Sequence, residues 1–181
     1  MNHRELVAIL HICGIDTIPW QTKKLHTNLW DLAKEIATGE SYLRFDASGL
    51  SRVTGIVRIR VRHPEEGFLM EKKVISPGGC EKERNCHPGG KILLGEGAVN
   101  AAFREFREEL NLGIHDLHEW KEGGITIEKH DSQRYPGLPT TLEVHTFDFW
   151  IEEGHQILLQ PEIETTEADG TKHVFRWEPP Q

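Results

Sequence analysis

Cysteine is scarce in this chain of 181 residues: Cys13, Cys80 and Cys86 are an odd three. That excludes an internal disulfide framework and points to a reducing, cytoplasmic setting. Positive charge is also short. Lys and Arg number 21 against 29 Asp and Glu, a formal net charge of −8, so no overall basic field draws duplex nucleic acid. Long apolar runs are missing as well, and nothing approaches the roughly 20 residues of a membrane-spanning helix. Residues 6–15 are apolar and follow Arg4, but the run is short, broken by His11 and without a small-residue cleavage pattern. It is not read as a signal peptide. No repeat and no long linker divides the sequence, and its length suits one domain with a small terminal addition.

What is present is concentrated in residues 90–112, GKILLGEGAVNAAFREFREELNL. The second half reads as a helix. At 100° per residue, Glu105, Glu108 and Glu109 gather on one face, because spacings of three and four stack side chains. Val99, Ala102, Phe103, Phe106 and Leu110 gather opposite as a core stripe. Three carboxylates on one stripe repel each other. A divalent cation offsets that repulsion, and hard cations such as Mg²⁺ or Mn²⁺ take oxygen ligands.

The stretch resembles the Nudix box: Gly, five residues, Glu, seven residues, then Arg-Glu-apolar-any-Glu-Glu-any-Gly-apolar. Gly90 opens it, Glu96 follows, Arg104-Glu105-Phe106-Arg107-Glu108-Glu109 comes seven residues later, and Leu112 closes it. Asn111 stands where the family has glycine; Asn is the next residue best suited to the left-handed conformation that ends such a helix. The resemblance implies an α/β/α Nudix sandwich, a mixed sheet with the box helix against one face. It implies hydrolysis of a phosphoric anhydride in a nucleoside diphosphate linked to another moiety, such as a nucleotide sugar, ADP-ribose or a dinucleotide. A nucleoside triphosphate pyrophosphohydrolase and a non-catalytic nucleotide-sensing module are the alternatives. By resemblance, Mg²⁺ or Mn²⁺ is held by Glu105, Glu108, Glu109 and the Gly89 carbonyl, within the lead-in His87-Pro88-Gly89-Gly90. Glu105 is also a candidate general base, Arg104 orients a box carboxylate, and Glu96 supports the box or a metal through water. A further acid from a downstream loop is common in the family, and Glu164 or Glu167 is the candidate here, against the plainer reading of residues 156–181 as an acidic solvated tail.

Residues 1–50 precede the resemblance and form an N-terminal extension; residues 51–181 are expected to be the Nudix domain. Residues 5–15 are a strand or a short helix. Asn28 is placed to cap a helix over 29–37 with Leu29, Leu32, Ala33 and Ile36 buried, ended by Gly39. Trp20 and Trp30 read as packing anchors. The extension braces the core, forms a homodimer contact or shapes the pocket; sequence leaves the three open.

From Val53 the pattern changes. Val57, Ile59 and Val61 alternate with Arg58, Arg60 and Arg62, the period of a half-buried strand. The arginines are a solvated face or meet substrate phosphate. Residues 68–75 read as the hairpin partner, and residues 77–90 as a loop. Cys80, Cys86 and His87, with Cys13, raise a zinc site against the reading of incidental thiols, without the paired spacing zinc sites show. Residues 125–129 and 142–151 read as strands, the second central and two-sided. Between them, Ser132-Gln133, Tyr135-Pro136 and Pro139 are similar to the marker of the NADH-pyrophosphatase branch, broken by Arg134 and Gly137-Leu138. Tyr135 is a candidate for stacking on a base.

Overall fold

A computed structural model describes residues 3–21, 29–132 and 134–179. Among the described residues three α-helices, α1 (His3–Ile12), α2 (Leu29–Thr38) and α3 (Ala98–Leu110), accompany eight strands. The strands are β1 (Tyr42–Asp46), β2 (Gly49–His63), β3 (Gly67–Ile75), β4 (Glu81–Cys86), β5 (Leu117–Asp131), β6 (Pro139–Ile151), β7 (Glu162–Thr166) and β8 (Lys172–Glu178). They join one sheet in the order β5-β6-β2-β3-β8-β7, with β1 on β2 and β4 on β3. The fold is mixed α/β, as the box resemblance implied. The chain divides into two compact units: residues 1–56, 91–96 and 126–144, and residues 57–90, 97–125 and 145–181.

In the first unit, residues 5–12 of the 5–15 stretch lie in helix α1, which buries Leu6 and Leu10. In α2, Leu32 is fully buried, with Leu29, Ala33 and Ile36 packed around the same cluster, and the chain leaves the helix at Gly39 with φ +75°. The proposed cap Asn28 lies outside the described residues. Trp20 is an anchor: its indole N–H donates to the Pro136 carbonyl at 2.9 Å and its ring tilts against Tyr135. Trp30 is not an anchor. It is 66% exposed and stacks on His3, because Leu32, two residues on, takes the inward face of α2. Residues 1–50 lie in this first unit together with residues 51–56, 91–96 and 126–144.

This unit is tied by one buried carboxylate. Glu35 of α2 accepts Arg52 Nε at 2.9 Å and Nη2 at 2.6 Å, the Tyr135 hydroxyl at 3.2 Å and Ser41 Oγ at 3.2 Å. Arg134 Nη1 lies 2.9 Å away. A carboxylate 4% exposed beside an arginine 8% exposed persists only because each neutralises the other.

In the second unit, β2 and β3 pair at their hairpin end, Arg62 with Phe68 and His63 with Gly67. Further along they splay. Val57 and Ile59 donate their amides to the Gly90 and Pro88 carbonyls, while β3 pairs with β4. Two sequence expectations are corrected here. Residues 77–90 contain strand β4, invisible in the pattern because its six residues are all exposed and so carry no hydrophobic alternation. The acidic tail is likewise two paired strands, β7 and β8, with Ile163, Thr165, His173 and Phe175 buried in the period of two. Helix α3 packs Phe106 edge-on against Phe149. Asn111 ends it at φ 55°, ψ 30°, its amide donating to the Arg107 carbonyl.

Replacing Glu35 with Ala strands a buried guanidinium and is expected to cost about 3–5 kcal/mol, whereas Tyr135→Phe removes one hydrogen bond worth about 1 kcal/mol. Urea unfolding of both variants checks the ratio; equal losses would mean that Glu35 does not carry the cluster.

Candidate active site

The site is assembled in the second unit where the Pro88–Gly90 lead-in runs beside α3. Gly89 has φ +144°, and a Cβ there would collide with the Val57 carbonyl. Its amide donates to Glu109 Oε2 at 3.0 Å. A Cβ at Gly90 would collide with the carboxylate of Glu105. Close approach requires glycine at both positions, because backbone and box carboxylates occupy the space a side chain would take, and at Gly89 the positive φ requires it as well.

The three box acids differ in environment. Glu105 and Glu109 are buried, at 9% and 6% exposure, while the Glu108 side chain is 49% exposed. Arg104 Nη1 bridges two of them, 2.6 Å from Glu105 Oε1 and 2.9 Å from Glu108 Oε2. Burial raises the Glu105 pKa and outweighs the opposing Arg104 hydrogen bond. Glu109 is pushed further, to about 8, by burial first and then by the nearby charge of Glu71.

A second set of groups meets the box acids from the strands. His173 is buried between two carboxylates, its Nδ1 2.6 Å from Glu71 Oε1 and its Nε2 2.9 Å from Glu167 Oε1. Burial favours neutral imidazole, but the hydrogen bond to Glu71 and the charges of Glu109, Glu71 and Glu167 outweigh it and raise the His173 pKa. Both nitrogens donate only as imidazolium. Arg84 Nη1 closes the set at 2.9 Å from Glu71 Oε2. Burial raises the Glu71 pKa, yet His173 and Arg84 together hold it below the usual value.

Ligand atoms of Glu109, Glu167 and His173 all fall within 4.8 Å of one another among the described residues; His173 would have to give up a proton and its bond to Glu167 to ligate a metal there, so the carboxylates are the donors that fit. The donor set fits a divalent cation. Glu109 is a buried carboxylate whose ionisation is suppressed for want of positive charge, and oxygen donors predominate around it.

Other candidates from the sequence fall elsewhere. Glu164 points outward from β7, whereas Glu167 stands in the turn beyond it and reaches His173. Glu96 belongs to the first unit, where it accepts the Leu93 amide at 3.1 Å. Tyr135 is also there, and the stacking role is corrected: it is 0% exposed, so packing against Trp20 leaves no face for a base. Arg60 and Arg62 both pair with Asp148, Arg62 also lies over the Phe68 and Trp150 rings, and Arg58 is a half-buried neighbour on β2. No cysteine belongs to a metal-capable group among the described residues; Cys86 instead donates its thiol to Glu71. Glu71 and His173 were missed in the sequence. The available signal was parity: Glu71 falls in step with Leu69, and His173 with Phe175, both inward.

The suppressed ionisation of Glu109 has a measurable consequence. Its folded pKa of about 8 exceeds the ordinary carboxyl value of 4.5, so the folded state holds more protons than the unfolded state between those values. Stability of chelator-treated protein therefore falls as pH rises through that window. Glu109→Gln removes this term and is expected to gain Tm relative to the parent from pH 5 to pH 8, roughly 2–4 °C per kcal/mol. A difference independent of pH would refute the assignment.

A family model, NUDIX domain, matches residues 51–181. Among solved structures, the MutT protein from Methanosarcina mazei Go1 is similar at 16% identity over 70% of this chain and 77% of that one, with TM-score 0.43. A mutator MutT protein from Bacillus halodurans is similar at 17% identity over 68% of each chain, with TM-score 0.41. The C. elegans Ap4A hydrolase is similar at 16% identity over 67% of this chain and 77% of that one, with TM-score 0.37. No curated protein matches in sequence. With the domain match covering 51–181 and the box acids in place at Glu105, Glu108 and Glu109, the chain belongs to the NUDIX domain family.

Proposed function

We propose that this Nudix pyrophosphohydrolase cleaves the phosphoric anhydride of a nucleoside diphosphate linked to another moiety, and that it does so with a divalent cation. The observation that carries the reading is the pair of buried carboxylates, Glu105 and Glu109, pressed against the Gly89–Gly90 backbone with the ionisation of Glu109 held back to about pH 8. Such a site is unfavourable to the protein alone and favourable with a cation in it. Glu105, Glu108, Glu109 and the Gly89 carbonyl would hold Mg²⁺ or Mn²⁺, which neutralises diphosphate charge and acidifies water when bound.

The chain's own groups do the rest. Arg104 fixes the rotamers of Glu105 and Glu108 by charge-assisted hydrogen bonds. Glu167 is the downstream acid best suited to general base. One of its oxygens is pinned by His173, leaving the other to take a proton from the attacking water. Glu164, facing outward on β7, is the weaker candidate, and Glu105 is committed to Arg104. Residues 51–181 carry the reaction on this reading, and residues 1–50 brace the first unit through the Glu35 cluster.

The test is nucleotide release from nucleoside diphosphate sugars, ADP-ribose, dinucleotides and nucleoside triphosphates, with Mg²⁺, with Mn²⁺ and with chelator. Chelator-sensitive cleavage of diphosphate conjugates is expected, and Glu109→Gln should lower kcat by about 100-fold or more. Glu167→Gln should lower kcat well below the level of Glu164→Gln. Tight nucleotide binding without cleavage would instead favour a sensor, and triphosphates cleaved in preference would overturn the substrate class.

A further inference from the structure

Where β2 and β3 splay, a cavity of about 230 Å³ opens, lined by Arg60, Phe68, Met70, His87, Glu178 and Pro179. The linings follow from register. Arg62 faces Phe68 across the hairpin and Phe68 faces Glu178 across β3–β8, so alternation puts Arg60, Phe68, Met70 and Glu178 on one face of the sheet. His87 enters from the lead-in and meets the Phe68 ring edge-on at 5.5 Å.

The walls are chemically mixed in an informative way. Two buried polar atoms, Arg60 Nε and His87 Nδ1, have no hydrogen-bond partner among the described residues, although the other end of the Arg60 guanidinium pairs with Asp148. Buried polar atoms without partners are uncommon in native folds and imply a missing ligand or water. The Glu178 carboxylate, paired with Lys72, adds an acceptor. Phe68 and Met70 add flat, polarisable apolar surface. A phosphate does not suit a pocket that contains a carboxylate and apolar side chains. A flat ring does, if its edge carries an acceptor for Arg60 and N–H donors for Glu178.

The distance to the reacting bond also fits. His87 precedes Gly89 by two residues, so the pocket lies within about 7 Å of extended backbone from the amide that meets Glu109. A ribose and one phosphate bridge such a gap.

We propose that this cavity is the base pocket of the hydrolase and takes a purine, guanine ahead of adenine, with Phe68, Arg60 and Glu178 as its specificity-determining residues; the inference rests on the hydrolase reading above. Guanidinium pairs with O6 and N7 of guanine, and a carboxylate accepts from the adjacent N1–H and exocyclic amine. Adenine offers only one donor group to the same carboxylate.

Calorimetry of the full chain with GDP, ADP, UDP and CDP in Mg²⁺ tests the pocket independently of turnover. GDP is expected to bind about tenfold tighter than UDP or CDP, the scale of one good base contact. Glu178→Gln should erase most of the preference for GDP over ADP, and Phe68→Leu should weaken both purines several-fold. Inorganic pyrophosphate should bind all three proteins alike, which reports that the variants remain folded around an intact diphosphate site. Equal affinity for purines and pyrimidines, or a preference untouched by both variants, would overturn the pocket. Metal-dependent cleavage of GDP, ADP, UDP and CDP derivatives of glucose separates the two readings. Cleavage without base discrimination sinks the pocket alone, whereas retained GDP preference without any cleavage leaves the pocket standing and sinks the hydrolase.

Discussion

Everything in the second unit is arranged around carboxylates buried beside one another. Glu105 and Glu109 are neighbours on α3, Glu71 approaches from β3, and burial first, then the charges of Glu71 and Glu105, holds back the ionisation of Glu109. The protein answers this repulsion in two ways. It supplies fixed cations, Arg104 on the helix and the Arg84–Glu71–His173–Glu167 chain on the strands. It leaves the rest, at Glu109, uncompensated. Fixed cations orient the acids, and the uncompensated remainder is a place that favours added positive charge.

The backbone is shaped by the same demand. Gly89 and Gly90 allow the lead-in to approach Val57 on one side and the box acids on the other. That approach is possible because β2 and β3 part after their hairpin end and let residues 88–90 bond to β2. The splay therefore brings together the box acids, the lead-in and the cavity lined by Phe68 and His87. In the first unit the equivalent anchoring is done by a fully compensated carboxylate. Glu35 has Arg52, Tyr135 and Arg134 around it, and that compensation makes it a packing device rather than a reactive one.

The box helix was legible because helical periodicity and family spacing agree on the same residues. Its face of acids, its apolar stripe and its left-handed end at Asn111 all follow from local rules. Strand β2 was legible from alternation, β3 as its hairpin partner, and β6 from its β-branched and aromatic residues as a two-sided strand. Strand β4 was not, because a six-residue strand exposed throughout has no alternation to read. The acidic tail misled for a related reason: Glu162 and Glu164 face outward, and the buried residues alternating with them are Ile163 and Thr165, too few to stand out.

Sequence by itself determined the family, the box acids and the lead-in glycines, since each is fixed by spacing along one continuous stretch. Tertiary structure alone decided their company. Glu71, His173 and Glu167 are separated from the box by long intervals of chain, and only strand register brings His173 between the two carboxylates. Register likewise gathered Arg60, Phe68 and Glu178 around one cavity, while packing on Trp20 and the bond to Glu35 drew Tyr135 wholly into the core. Linear spacing encodes what a single helix or turn can hold; side chains from different strands meet only once pairing and splay have set the distances between them.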